Sequence, residues 1–430
     1  VDGTQRTFVI IGGGLAGAKA AQTLREEGFA GRVILIGDEH EQPYERPPLS
    51  KDYLTGRAER ESVFVHAPGW YAHNRIELHL GQPAVAVDPS VREVRLGDGT
   101  RLPYDALLLA TGAEPHRLGI PGTQLANVHH LRRLAHSDHL RGVLTSRARA
   151  GEPLVIAGAG WIGLEVAAAA RTLGAEVTVV EPGPTPLHAV LGPELGAILA
   201  DLHREHGVAF HFGTRPAEIT GRDGMVAGVR TEDGRELPAR AVLAAIGAGP
   251  RTALAEGAGL DLAEGGGIAV DPALRTSDPR IFAAGDVAAV AQPGHGGTSR
   301  APGPGGGARR RVEHWANALN SGPAAARSML GQEVAYDRVP YFFSDQYDAG
   351  LEYSGWAPPG TYDRVVFRGD VAKRAFIAFW LRDNHVLAGL NMNVWDVTAP
   401  IQHLIRTGHP VDPEALADRA TPLDSLLPAA

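Results

Sequence analysis

A strand, a glycine-rich turn and a helix open this chain, and the same unit returns later; that duplication limits the possible fold more than any other feature. Thr7 to Ile11 is a short β-branched and aromatic run of the kind buried in a parallel strand. Gly12-Gly13-Gly14-Leu15-Ala16-Gly17 follows, then the helical stretch AKAAQTLREEG, which stops at Gly28 as a C-cap should. Gly12 suits the tight turn, Gly14 lets backbone approach a pyrophosphate, and Gly17 allows the helix to pack closely on the strand. A phosphate would sit at the helix N-terminus, where free N–H groups and the helix dipole favour an anion. The next strand, Arg32 to Gly37, ends at Asp38 and Glu39, and Asp38 lies 26 positions after Gly12, in reach of a ribose hydroxyl. In the second copy, Leu154 to Ala157 leads into Gly158-Ala-Gly160-Trp161-Ile162-Gly163, the helix LEVAAAARTLG, the strand Glu176 to Val180 and then Glu181, 23 positions after Gly158. A lone glycine fingerprint is weak evidence in a chain with 54 glycines, but two copies that each keep three glycines and a terminal acid imply two dinucleotides.

At 430 residues the chain exceeds what one hydrophobic core usually serves, so two or three domains are expected. The net charge of -8 gives no support to nucleic-acid or anionic-membrane binding. The start, VDGTQRTFVIIGGG, passes from a short polar lead straight into a strand, and the apolar runs are strand-length; a cytoplasmic address without a membrane span is the expectation. Zero Cys excludes a disulfide framework, thiolate metal sites and any dithiol relay. No metal site is expected either, because His203 and His206, His129 and His130, and His136 and His139 lack a carboxylate partner set; they read as surface or helix-end histidines. Glu181 is followed by PGPTPL with no Lys or Arg, so a 2′-phosphate would meet an uncompensated carboxylate and the second site should prefer NADH to NADPH.

The order GGGLAG, PYERPPLSK, Leu109-Ala-Thr111-Gly112, GAGWIGLE, Ile281-Phe-Ala-Ala-Gly285-Asp286 and Glu313-His-Trp315-Ala-Asn317 resembles the FAD-dependent, NADH-using ferredoxin reductases of bacterial oxygenase systems. PYERPPLSK and Phe343-Ser344-Asp345-Gln346-Tyr347 narrow the likeness to this branch, which covers nearly the whole chain. The resemblance implies an α/β fold with two Rossmann-like dinucleotide-binding domains, glutathione-reductase-like, plus a C-terminal α+β domain. It implies FAD at the first fingerprint, with Gly12, Gly14, Ala16 and Gly17 at the pyrophosphate and Asp38, beside Glu39, at the adenosine ribose. Arg46 and Lys51 match flavin-contacting positions, Ala84 a backbone contact to adenine, and Arg132 an arginine reaching the cofactor. Thr111 and Gly112 lie at the crossing out of the FAD domain. Gly285 and Asp286 close the site on the ribityl chain, and Trp315 matches a position against the ring system; by themselves Asp286 also fits a helix N-cap ahead of VAAV, and Trp315 a core tryptophan. The NADH side takes Gly158, Gly160, Trp161, Ile162, Gly163, Glu165 and Glu181, with Gly247 at the return crossing. In the resembling family the glutamate of GLE pairs with the lysine of PPLSK, so Lys51 and Glu165 should form an ion pair beside the flavin, and Trp161 reads as a gate over the nicotinamide pocket.

The expected layout is an FAD-binding domain at 1–113 and 245–330, an NAD-binding domain at 114–244 and a C-terminal domain at 331–430. In the last, FIAFWLRDNHVLAGLNMNV reads as two strands joined by a polar turn at Arg382 to His385, followed by the helical APIQHLIRTG; Trp395 reads as core packing, with approach to the flavin as the alternative. A glycine- and proline-rich loop at 292–311 ends in Arg309-Arg310-Arg311, a candidate docking patch for an acidic iron–sulfur ferredoxin, with a solvated charge run as the competing reading. The resulting function is NADH-dependent reduction of a ferredoxin serving a cytochrome P450 or Rieske-type oxygenase, by a monomer or weak homodimer. A rubredoxin reductase, an NADH oxidase, or an NADH-sensing flavoprotein resembling the apoptosis-inducing factors would share the same motifs.

Overall fold

The computed structural model describes residues 6–148, 153–292 and 309–426. Contacts divide the chain into two compact units: Val1–Glu45, Arg60–Glu114 and Gly249–Pro340 form one, and Arg46–Glu59, Pro115–Ala248 and Tyr341–Ala430 the other. Residues 46–59, which the sequence places inside the FAD domain, thus make their contacts within the second unit. Side-chain chemistry accounts for this: Ser137 Oγ donates to the carbonyl of Leu49, and Ser50 Oγ donates to Glu165.

The first unit is built on a five-stranded parallel sheet in the order Ile281–Ala283, Ala106–Leu109, Thr7–Ile11, Arg32–Ile36 and Ile76–His79. Except for the edge strand Ile76–His79 (IELH), these are short, largely apolar runs without alternation, as expected of strands covered on both faces; Val9, Ile10, Val33, Ile34, Leu107 and Ile281 are all 0 % exposed. The helix Leu15–Glu26 buries a row of alanines and Leu24, and it stops where Gly28 takes φ +79°. A second helix, Trp315–Met329, packs on it so closely that a Cβ at Gly322 would lie 2.3 Å from the carbonyl oxygen of Ala16.

One sequence expectation changes here. Asp286 lies in a single 3-10 turn, Gly285–Val287, and VAAV that follows is not a helix but the strand Ala288–Ala291, paired with Ile268–Val270 and Arg309–Arg311. The helix N-cap reading of Asp286 is therefore overturned.

The second unit repeats the sheet plan: Val208–Phe212, Glu176–Glu181, Pro153–Ala157, Ala241–Ala244 and Val128–His129 are again parallel, with the fingerprint strand in the middle. It also holds an antiparallel sheet of five strands in the order Tyr341–Gln346, Ala349–Gly355, His385–Met392, Ala375–Arg382 and Arg364–Asp370, backed by the helix Thr398–Thr407. The turn expected at Arg382 to His385 is present, with Asp383 and Asn384 at φ 49° and 64°. Trp380 is the buried tryptophan of this sheet, whereas Trp395 is 55 % exposed, so its assignment to core packing does not hold. Among the described residues, no helix is long and apolar enough to cross a membrane.

Candidate functional site

The two fingerprint turns have nearly the same geometry. Gly12 adopts φ +132°, and a Cβ there would stand 2.1 Å from the carbonyl oxygen of Ala110. At Gly17 it would stand 2.1 Å from the carbonyl oxygen of Gly12, so any side chain would push the helix off the strand. Gly158, at φ +102°, and Gly163 repeat both constraints, at 2.4 Å from the Ala245 oxygen and 2.1 Å from the Gly158 oxygen. Gly14 and Gly160, the residues before the two helices, have nothing within 4 Å of where a Cβ would point, and no side chain caps either helix. Each turn therefore leaves open space before the uncapped start of a 12-residue helix, an arrangement that suits a pyrophosphate.

The acids at the ends of the second strands are held differently. Asp38 accepts from Arg251 Nη2 at 3.1 Å; the Arg251 carbonyl accepts from Thr111 Oγ1 at 2.8 Å, and its N–H donates to the carbonyl of Gly112. Arg251 was not singled out from the sequence; its signal would have been a basic residue four positions after the crossing at Gly247. Glu39 accepts from the Tyr44 hydroxyl at 2.6 Å. Glu181 accepts from the N–H of Ala159 and the N–H of Gly183, both at 2.7 Å, which locks the carboxylate onto the fingerprint turn itself.

Lys51 and Glu165 meet: Nζ lies 2.8 Å from Oε1, with the side chains 13 % and 3 % exposed. Lys51 follows the rigid 3-10 turn Pro47–Ser50, and Glu165 faces inward from the helix Trp161–Thr172. The carboxylate accepts further bonds from Ser50 Oγ at 2.5 Å and Ser344 Oγ at 2.6 Å, and Lys51 Nζ lies 5.5 Å from the ring centre of Phe343. So a nearly dry carboxylate has three donors, one cationic, which is the condition for keeping a buried charge. Ser50 and Ser344 had no assigned role in the sequence. Their signal was present in part: Ser344 and Gln346 alternate along the strand Tyr341–Gln346 at the positions that turn out buried.

The remaining candidates fall as follows. In the second unit Arg46 donates to the carbonyl of Arg132, which brings these two positions together. Trp161 lies against Phe342 with ring centres 4.2 Å apart, and its neighbour Ile162 is 41 % exposed. Gly247 adopts φ +93°. In the first unit, Ala84 opens the strand Ala84–Asp88, the N–H of Gly285 donates to Ser321 Oγ at 2.9 Å, and Trp315, only partly buried, opens its helix. Arg309 is exposed, but Arg311 is turned inward to Glu313 and to the carbonyl of Asp286. Residues 293–308 of the loop expected at 292–311 lie outside the described residues. His203 lies in the last turn of the helix His188–Glu205, as the helix-end reading has it, but is 0 % exposed, and His129, in the strand Val128–His129, is 7 % exposed and neither at the surface nor at a helix end. Burial, against the pull of the Gln346 hydrogen bond, lowers His203 to a pKa of about 4. Among the described residues, no three His, Asp or Glu side chains gather in a metal-binding group.

Twin glycine-rich turns, each followed by a helix and a strand that ends in an acid, with one buried Lys–Glu pair in a cysteine-free chain, define a two-dinucleotide oxidoreductase that works without a dithiol. The chain belongs to the pyridine nucleotide-disulphide oxidoreductase family, which matches residues 6–322, and residues 341–427 match the reductase C-terminal family. The disulphide of the family's description has no counterpart here, since the sequence has no Cys. The chain is 38 % identical to rhodocoxin reductase of Rhodococcus erythropolis, covering 96 % of this chain and 92 % of that protein. It is also 38 % identical to the ferredoxin–NAD(+) reductase component of the biphenyl dioxygenase system of Paraburkholderia xenovorans, covering 98 % of both. Among solved structures, the covalent putidaredoxin reductase–putidaredoxin complex aligns with a TM-score of 0.89 at 34 % identity, over 98 % of both chains. FAD and NADH are the dinucleotides of this family, and the open backbone at Gly14 and Gly160 fits a pyrophosphate at each turn.

Proposed function

We propose that this protein takes electrons from NADH and passes them through FAD to a ferredoxin, which in turn serves a cytochrome P450 or Rieske-type oxygenase. The observation that carries this reading is the buried Lys51–Glu165 pair, built from PPLSK and GLE and braced by Ser344, in a chain that has no cysteine to receive electrons. Bound FAD supplies the conversion from a two-electron donor to a one-electron acceptor. The protein's part is binding, orientation and electrostatics. Gly12, Gly14, Ala16, Gly17, Asp38 and Glu39 hold FAD, with Arg46, Ala84, Thr111, Gly112, Arg132, Gly285, Asp286 and Trp315 completing its site. Gly158, Gly160, Ile162, Gly163, Glu181 and Gly247 hold NADH, and Trp161 gates the nicotinamide. Lys51 and Glu165 present a fixed dipole that orients the nicotinamide, and low exposure strengthens its field. The domain layout that goes with these roles is 1–113 with 245–330 for FAD, 114–244 for NADH and 331–430 for the C-terminal domain. Arg309, Arg310 and Arg311 form the ferredoxin patch, within which Arg311 also pairs with Glu313.

The test is NADH turnover with a panel of purified ferredoxins and rubredoxins, following the acceptor's own spectrum. Fast reduction of a ferredoxin with little oxygen consumption supports the proposal. Turnover with rubredoxin alone or with oxygen alone, or slow flavin reduction with a persistent charge-transfer band, would replace it with one of the other readings.

A further inference from the structure

Behind Glu165 a row of polar groups runs into the fold, away from Lys51. Ser344 Oγ is 2.6 Å from Glu165 Oε1, Gln346 Nε2 is 3.1 Å from Ser344 Oγ, His203 Nε2 is 2.9 Å from Gln346 Oε1, and the Tyr347 hydroxyl is 3.3 Å from His203 Nδ1. Ser344, Gln346 and His203 are each at most 1 % exposed.

Hydrogen-bond accounting gives the row a direction. An ionised carboxylate can only accept. With Glu165 charged against Lys51, Ser344 must donate to it, and the serine oxygen then accepts from the Gln346 amide N–H. That turns the amide oxygen toward His203, which must carry its proton on Nε2, and Nδ1 is left to accept from the Tyr347 hydroxyl. A protonated Glu165 would set no such direction, because a neutral carboxyl and a serine hydroxyl can each donate and accept.

A second observation is conformational. Tyr347 opens the two-residue turn between Tyr341–Gln346 and Ala349–Gly355 at φ +57°, where a side chain costs about 1–2 kcal/mol and glycine would cost nothing. Its ring stacks on His206, with centres 3.7 Å apart and planes 10° apart, so the strained position serves to set the phenol against His203.

We propose that Ser344, Gln346, His203 and Tyr347 are positioning residues for the Lys51–Glu165 pair, forming a one-way hydrogen-bond chain that ends on the Glu165 carboxylate as acceptor and fixes His203 as the Nε2–H tautomer. The proposal rests on the reading of Lys51 and Glu165 as the pair that serves the nicotinamide and flavin. Other titratable groups face the chain. Asp345, on the strand with Ser344, interacts with Lys51, Glu165, Asp52 and Glu352; His206 acts on His203; Arg171 acts on Tyr347. Burial holds His203 neutral at ordinary pH, so its two tautomers are the states available to it.

Two measurements on the FAD-loaded protein test this. In 15N-histidine-labelled enzyme at neutral pH, NMR should show His203 as the Nε2–H tautomer; the Nδ1–H tautomer would overturn the proposal. In single-turnover reduction by NADH, Ser344→Ala should lower the rate about tenfold, because a hydrogen bond that holds the Glu165 carboxylate in place is lost. Ser344→Thr, which keeps the hydroxyl, should restore the wild-type rate. An unchanged rate in Ser344→Ala, or an equal loss in Ser344→Thr, would sink it. The NMR measurement needs no turnover, so failure of the reductase reading and failure of the chain can be told apart.

Discussion

Lys51 and Glu165 show how much one buried pair can carry. Their mutual attraction offsets two desolvation costs, and removing one partner strands the other, at a cost of about 3–5 kcal/mol. Lys51→Ala should therefore lower stability in urea by that order and slow NADH-dependent FAD reduction in stopped flow, while the protein retains its FAD; near-normal reduction would remove Lys51 from the mechanism. His203 gives a pH prediction with a definite sign. The unfolded chain takes up a proton as pH falls through 6.5, but the folded chain does not until about 4, so stability falls across that window by up to about 3 kcal/mol. The urea midpoint of wild type should drop more steeply from pH 7 to pH 4.5 than that of His203→Gln. His66, also lowered to about 4 by burial, contributes equally to both proteins and cancels in the comparison. The two residues also differ in legibility. PPLSK and GLE mark their lysine and glutamate in the sequence, but nothing near HREH reveals that His203 is buried, because its partner Gln346 lies 143 residues away.

At the scale of elements, the fingerprints were the most readable part of the chain. Thr7–Ile11 falls where its β-branched run ends, and both glycine turns meet the steric limits that their spacing implies. Gly17→Ala places a methyl carbon 2.1 Å from a carbonyl oxygen, and the expected result is protein that is insoluble or free of FAD by its visible spectrum. Glu181→Arg removes the acceptor for the N–H groups of Ala159 and Gly183, and it should raise the KM for NADH and lower the NADH-to-NADPH preference; unchanged values would dissociate Glu181 from the nucleotide. VAAV after Asp286 was less readable. A short apolar run has no period that separates strand from helix, and its partners, Ile268–Val270 and Arg309–Arg311, are supplied from elsewhere in the chain. Trp395 was misread for a related reason: which tryptophan is enclosed depends on the neighbouring strands, and they enclose Trp380.

For the whole molecule, a net charge of -8 makes a local basic surface the means of attracting an acidic partner. Reversing Arg309 and Arg310 to Glu should cut ferredoxin reduction and steepen its loss with salt, while ferricyanide reduction by NADH stays level; equal loss in both assays would rule out docking there. The stretch 46–59 has a further consequence, for synthesis. Ser50 finds Glu165 115 residues later, and Glu165 finds Ser344 another 179 residues on. During translation, both nucleotide folds can emerge from the ribosome while this carboxylate still lacks its last donor. A chain ending before Tyr341 would have both fingerprints while Glu165 kept only Lys51 and Ser50 of its three donors, so the strand Tyr341–Gln346 is needed to complete the second unit, and a protease that recognises incomplete chains would have until Ser344 arrives to act.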